Sequence, residues 1–267
     1  MHQYKTERIL IWGKTYPELS TKHTETVCTA GVREDGQPIR IYPVPLRYLG
    51  NEQQYGLYQW VSVPIAKSDK DSRPESYRIS SAEIRIVGEI PTDQMEWAER
   101  RKWIFRDPSW QFANVGELKA AERSTGRSLG IVAPGSIEGV VLRRKPEEER
   151  RAYERKMQAI QAQGDAFLPE YKTLEYRDHE ILLKWRCNGG CPECARGPHE
   201  MQVLDWGLVE LARKRGWDWA AAVDRLQALA SGDYDLRLFL GNFKAHRKAF
   251  SIVGLWYPKR RAQLPLL

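Results

Sequence analysis

Cys187-Asn188-Gly189-Gly190-Cys191-Pro192-Glu193-Cys194 has the clearest chemistry in the chain, and His199 follows shortly after it. Three of the four cysteines fall within these eight residues. Several sulfurs can converge on one ion only if the backbone turns tightly, and Gly189 and Gly190 supply that freedom. Cys191-Pro192-Glu193-Cys194 has the form of a zinc-knuckle turn, and three Cys with one His complete a tetrahedral site with no open position. Cys187, Cys191, Cys194 and His199 are therefore expected to hold a structural zinc, ahead of an iron–sulfur cluster. The fourth ligand stays open: Cys28 or His179 could replace His199.

Other segments carry polar groups that could act on a substrate. Residues 13–25 form a polar stretch after an apolar strand. Gly13-Lys14-Thr15 ends like a phosphate-binding loop, but the glycine that motif needs upstream is Arg8. Lys14, Tyr16, Glu18 and Glu25 are its first residues to test. In the loop 67–76, Lys67, Lys70 and Arg73 suit phosphate, while Asp69, Asp71 and Glu75 suit acid–base or metal work. The catalytic candidates are Lys14, Glu18, Glu25 and Asp71. Cys28 with His23 has the types of a nucleophile and base, yet Cys28 lies in an apolar strand where a buried thiol is common.

The chain carries 42 Lys+Arg against 35 Asp+Glu, a net charge of +7 and a pI near 9.2. That balance favours polyanions, nucleic acid above all. The candidate contacts are Arg40, Lys67, Lys70, Arg73, Lys244, Arg247, Lys248, Lys259 and Arg260, with Arg261 beside the last. Phe243, Trp256 and Tyr257 lie close to them in sequence, and aromatic rings can stack on unpaired bases. No apolar run approaches the roughly 18 residues of a membrane span, and no secretory leader precedes the first charges. A cytoplasmic address with no membrane partner is the expectation. Clustered thiols in a reducing compartment also suit metal better than disulfides.

The elements that must position these residues follow from periodicity. Strands are expected at 8–12, 25–33 and 39–44, the last two joined as a hairpin by Asp35-Gly36. Another is expected at 58–67, with Pro64 at an edge or bulge, and one half-exposed strand at 77–90. Thr92 or Asp93 should cap a helix carrying Met95, Trp97, Ala98, Trp103 and Ile104, and a short helix should cover 115–123. Strands return at 129–133 and 137–144. Pro146 opens an exposed helix to about Gln163. A strand over 174–186 leads into the cysteines. Met201, Leu204, Leu208 and Leu211 then repeat at helical spacing, Asp218 caps a further helix, and a hairpin closes the chain. The expected fold class is α+β, a mixed, largely antiparallel sheet with peripheral helices and a zinc-stapled C-terminal half. The expected parts are 1–145, rich in strands, and 146–267, packed together as one compact unit.

Two blocks carry a resemblance. Ile11-Trp12-Gly13-Lys14-Thr15-Tyr16-Pro17, and the strand, cysteine loop, His199-Glu200-Met201 and Asp205-Trp206 block, are similar to patterns in zinc-containing proteins of bacterial DNA-modification and defence islands. The resemblance implies work on nucleic acid or on a modified base such as a 7-deazaguanine, and transfers no catalytic residue. The spacing Cys-x3-Cys-x2-Cys also resembles the cluster motif of radical SAM enzymes. Only about 70 residues follow Cys194, too few for their βα barrel. Two function classes follow. One is a zinc-stabilised module that binds DNA, RNA or a protein partner of the same pathway. The other is an enzyme of hydrolase or hydratase type acting on a nucleobase from the N-terminal polar loops.

Overall fold

Ile9, Leu10, Ile11 and Trp12 are all fully buried because β1 (Lys5–Lys14) has an apolar core on each face. Successive side chains of a strand point to opposite sides. Ile9 and Ile11 therefore enter one cluster, and Leu10 and Trp12 another. This computed structural model describes residues 4–68, 70–80, 83–92, 97–163 and 173–260. Asp69, Asp93, Met95 and Arg261 lie outside the described residues.

The first sheet contains β1, β2 (Glu18–Ser20), β3 (Thr24–Arg33), β4 (Pro38–Val44), β5 (Gln59–Lys67), β6 (Ser76–Ile79) and β7 (Arg85–Glu89). Its order is β1-β3-β4-β6-β5, and β5 returns to pair with β1, so these five strands close a small barrel. Ile9, Ile11, Val27, Ile39, Ile41, Val61, Val63 and Ile65 belong to one buried cluster inside it. The Asp35-Gly36 hairpin forms as expected, with Gly36 at φ 86°. Pro64 lies in neither an edge strand nor a bulge. It faces Thr6 of β1, and on its other side it falls where β5 leaves β7 and joins β6, so the missing N–H interrupts no ladder there. Residues 77–90 form two strands, not one, because the chain breaks between Ile79 and Arg85 to switch partners along β5.

The second sheet contains β8 (Gln111–Phe112), β9 (Leu129–Val132), β10 (Pro134–Arg144), β11 (His179–Cys187), β12 (His199–Val203), β13 (Arg237–Phe243) and β14 (His246–Trp256), ordered β10-β11-β12-β14-β13-β9-β8. The change of sheet thus falls between Glu89 and Gln111, and β9 and β10, grouped with the first part in the sequence reading, pair within the second sheet. The helices are α1 (Ala98–Ile104), α2 (Val115–Thr125), α3 (Glu147–Gln163), α4 (Trp206–Lys214) and α5 (Trp219–Leu229). The fold is α+β. Asn114, Asp205 and Asp218 cap α2, α4 and α5 with side-chain oxygens that accept backbone N–H groups. The expected helix through Met201 is strand until Val203, since Met201 and Val203 alternate with polar Glu200 and Gln202. Helix begins only at Trp206.

The barrel and the second sheet meet along a seam rich in indoles. Trp12 lies 4.4 Å from Phe239 and 5.6 Å from Trp110, centroid to centroid, and Trp97 lies edge-on to Trp256 at 5.1 Å. Trp256, named above as a stacking group, is therefore core. Trp12, Trp110, Trp185 and Trp256 have essentially no exposed surface. β1 crosses β14 backbone to backbone. A Cβ on Gly13 would stand 2.9 Å from the Val253 carbonyl oxygen, so glycine is what permits the crossing.

Candidate metal centre and the cavity at the seam

The four expected ligands converge. Cys187 ends β11 and His199 opens β12, and the ladder sets Trp185 opposite His199, so both ligands sit at one end of a strand pair. The loop between them brings in the other two sulfurs. Gly189 and Gly190 take the left-handed conformation, at φ 76° and 65°. Cys194 N–H donates to the Cys191 carbonyl at 3.1 Å, closing the knuckle turn. His199 Nε2 stands 3.3 Å, 3.5 Å and 3.3 Å from the sulfurs of Cys187, Cys191 and Cys194. A tetrahedral ion about 2.3 Å from sulfur and about 2.0–2.1 Å from nitrogen sets such edges at about 3.5 Å. The donor set and its spacing fit one metal ion. Cys28 and His179 are excluded as the fourth ligand: Cys28 lies in the barrel, and His179 pairs with Asp178 at 2.8 Å.

The surroundings complete the site. Backbone N–H groups of Val115 and Cys187 donate to the Cys187 and Cys194 sulfurs at 3.4 Å and 3.3 Å. The first of these comes from the N-terminus of α2, which favours negative charge. Burial pushes the Cys187 thiol up to about 12, with the neighbouring sulfurs adding to it. A bound cation reverses that preference, because a coordinating thiol is deprotonated. Burial also lowers the His199 pKa, keeping the imidazole in its neutral, ligating form. His199 Nδ1 lies 3.8 Å from Glu193, whose carboxylate is held by Lys119 at 2.8 Å and 2.9 Å. Val115, Lys119 and Glu193 support the site without being marked as supports by any ligand-type spacing in the sequence. Glu193, inside the cysteine loop, was the visible signal.

The catalytic candidates do not converge on one another. Lys14 donates to the Tyr55 carbonyl at 2.8 Å and lies over the Trp206 ring; burial lowers its pKa to about 8 against the pull of Asp205. Glu18 is exposed and faces Arg177 at 3.8 Å. Glu25 is buried and paired with Arg47 at 3.1 Å. Asp71 is clamped by Arg73; burial works to raise its pKa, but the guanidinium wins and holds it at about 2, too weak a base for proton abstraction near neutrality. His23 is exposed, and the Cys28 N–H donates to Thr15 Oγ1. What does converge is the pair of blocks behind the resemblance. Thr15 bridges to Asp205, Tyr16 N–H donates to the Leu204 carbonyl at 3.2 Å, and the Tyr16 and Trp206 rings lie 5.9 Å apart.

Most basic candidates also gather. Arg247 reaches Ser72 at 3.3 Å and Glu122 at 3.0 Å, and Arg73 donates to the Asn242 carbonyl at 2.5 Å. The bonds to Ser72 and Asn242 join the 67–76 loop to the β13–β14 hairpin, and the bond to Glu122 ties the hairpin to α2. Lys67, Lys70, Lys244 and Lys248 are exposed around the junction. Two members of the set are corrected as surface contacts: Arg40 is 2% exposed and Arg73 6%, each anchored in the interior. Lys259 and Arg260 lie apart, against Tyr234 and Asp233.

Beside the junction a cavity of about 230 Å³ opens at the seam, with Arg40, Tyr42, Cys28, Phe243 and Lys244 in its wall. Arg40 donates to the Ser128 hydroxyl at 2.6 Å and carbonyl at 3.1 Å, and the same hydroxyl donates to Glu75 at 2.9 Å. Tyr42 was not singled out in the sequence. The alternation Ile39-Arg40-Ile41-Tyr42 was the available signal: the isoleucines fill the barrel, and Arg40 and Tyr42 share its outer face.

The domain of unknown function DUF8757 matches residues 111–266, more than half of the chain. The chain belongs to the DUF8757 family. A second domain of unknown function, DUF8758, matches residues 5–106. No curated protein matches the chain. The DUF8757 segment holds the whole second sheet and the four residues that could hold a metal ion, and the DUF8758 segment holds the barrel. The seam cavity takes residues from both. No helix among the described residues is long and apolar enough to cross a membrane.

Proposed function

We propose that this DUF8757 chain is a zinc-stapled nucleic-acid-binding protein, and that the face where the 67–76 loop meets the β13–β14 hairpin lies on the phosphate backbone. The observation that carries the reading is the gathering of Lys67, Lys70, Lys244 and Lys248 from segments far apart in sequence. Among the described residues, no carboxylate forms an ion pair with any of the four lysines. Lys67 is already engaged, donating to the Pro74 carbonyl and lying over the Tyr77 ring at 4.2 Å, so Lys70, Lys244 and Lys248 are the cations best placed for backbone contact. Zinc is assigned from the donor set, since three thiolates and one imidazole in a closed tetrahedron suit a structural zinc. A closed site leaves no position for a metal-bound water, which supports a binding module over metal-dependent hydrolysis. The DNA-modification or defence setting rests on the resemblance of the two motif blocks, which meet at Thr15 and Asp205.

The test is fluorescence anisotropy of labelled DNA and RNA over a salt series. Affinity should fall steeply with salt. The Lys244→Gln/Lys248→Gln double variant should weaken binding and reduce the salt slope by about two. No binding at low salt would sink the reading.

A further inference from the structure

The seam cavity is separate from the metal centre and meets the lysine face at Lys244, and its wall is unusual. Arg40 and Arg73 both line it, whereas Asp71, Glu75 and Ser128, which hold them, do not. Asp71 and Glu75 thus stand behind the guanidinium groups, and Glu18, ion-paired with Arg177 at 3.8 Å, is the carboxylate that lines the space with them. Arg73 is fully engaged by Asp71 and Asn242. Arg40 is different. It is 2% exposed, and its guanidinium donates twice to Ser128, leaving part of its five-donor fork unused. Among the described residues no carboxylate forms an ion pair with it. A buried charge is normally paired, and a guanidinium fork fits an oxyanion such as a phosphoryl group in two-point contact.

The rim supplies the other half of a ligand. Tyr42 is 46% exposed, Phe243 is half-buried, and both rings border the opening. Aromatic faces at the mouth of an anion pocket suit a planar base. Lys244, exposed at the same rim, belongs to the lysine face as well. The cavity, at about 230 Å³, falls below the roughly 300–1,000 Å³ of sites that enclose drug-sized ligands. It has room for one terminal unit, not for a phosphodiester continuing on both sides.

We propose that this cavity binds a nucleoside monophosphate group, the phosphomonoester at Arg40 and the base against Tyr42 and Phe243. This rests on the nucleic-acid reading where the group is the end of a strand; a free nucleotide offers the same chemistry. The experiment uses the full chain and separates these sources. Adenosine monophosphate, adenosine and inorganic phosphate are titrated calorimetrically. Labelled short single strands ending in a hydroxyl, a 5′-phosphate or a 3′-phosphate are titrated by anisotropy. One phosphorylated end should bind about tenfold or more tightly than the hydroxyl strand. Tyr42→Ala and Arg40→Lys should each abolish that preference while leaving hydroxyl-strand binding unchanged. Tyr42 is exposed, so its variant keeps the test valid if Arg40→Lys fails to fold. Equal affinity for all three strands, with no binding of adenosine monophosphate, overturns the proposal, as does a preference that survives Tyr42→Ala. Binding of the mononucleotide without binding of any strand supports the cavity assignment, identifies the free nucleotide as the source, and overturns the nucleic-acid reading instead.

Discussion

At the scale of single residues, the metal ligands and the clamped acid give the sharpest expectations. Cys191→Ser should strip the metal and lower the thermal midpoint, because metal affinity and folding are coupled in such sites. Metal content by mass spectrometry and a melting curve check it. Glu193→Gln should cost less, about 10–100-fold in metal affinity, since Glu193 only supports His199. Asp71 titrates from about 2 in the folded chain, against about 3.8 unfolded. A depressed acid contributes stability that is fully present above the unfolded value and is lost as pH falls through the folded one. Asp71→Asn should therefore remove part of the acid limb between about pH 4 and pH 2, read by denaturant unfolding across that range. The cysteine cluster was legible because its information is local: ligand types, glycines and spacing sit within thirteen residues. Arg40 was misread as a surface cation because charge alone does not say which face of a strand is covered.

At the scale of elements, caps and alternation were readable, and partner exchange was not. Asp218 and the Asp35-Gly36 turn are where the sequence placed them. The split of 77–90 into two strands, and the place of Pro64, depend on which strands flank β5, which periodicity does not encode. Asp205 shows an element-level conflict. It caps α4 by accepting from the Leu208 N–H at 3.1 Å, yet it is half-buried, and desolvation raises its pKa to about 6 against the cap and Lys14. A raised acid gives stability that is full below the unfolded value near 3.8 and is lost as pH rises through about 6. Asp205→Asn keeps the cap without the charge. It should flatten the stability profile between pH 4 and pH 6 and stabilise the chain near pH 7 by on the order of 2 kcal/mol. Asp205→Ala should forfeit the cap, about 1 kcal/mol. Urea midpoints at pH 4 and pH 7 for the two variants decide between these terms.

At the scale of the whole molecule, the α+β class was legible and the closure of the barrel was not. Closure depends on β1 meeting β5, a pairing of Leu10 with Trp60 across fifty residues that no local pattern announces. The same holds for the seam. Trp12 reads as part of a buried strand and Trp256 as a stacking ring, but that they meet at one seam depends on β1 crossing β14. Gly13→Ala tests that crossing. The added methyl would meet the Val253 backbone oxygen, which cannot swing away as a side-chain tip could. A loss of about 1–3 kcal/mol is expected, the range of overpacked cores. If unfolding is unchanged, the crossing is looser than described.

The indole-lined seam has a consequence for how the gene product could be divided. It buries Leu10, Trp12 and Trp60 from one family segment against Phe239, Val253 and Trp256 from the other. Cut between residues 106 and 111, each fragment would carry a broad apolar wall into water, a surface that invites association. Expressed alone, the two pieces should aggregate. Produced together, they should recover each other as a non-covalent heterodimer, detectable by co-purification through a tag on one of them. Each segment would serve the other as a solubilising subunit.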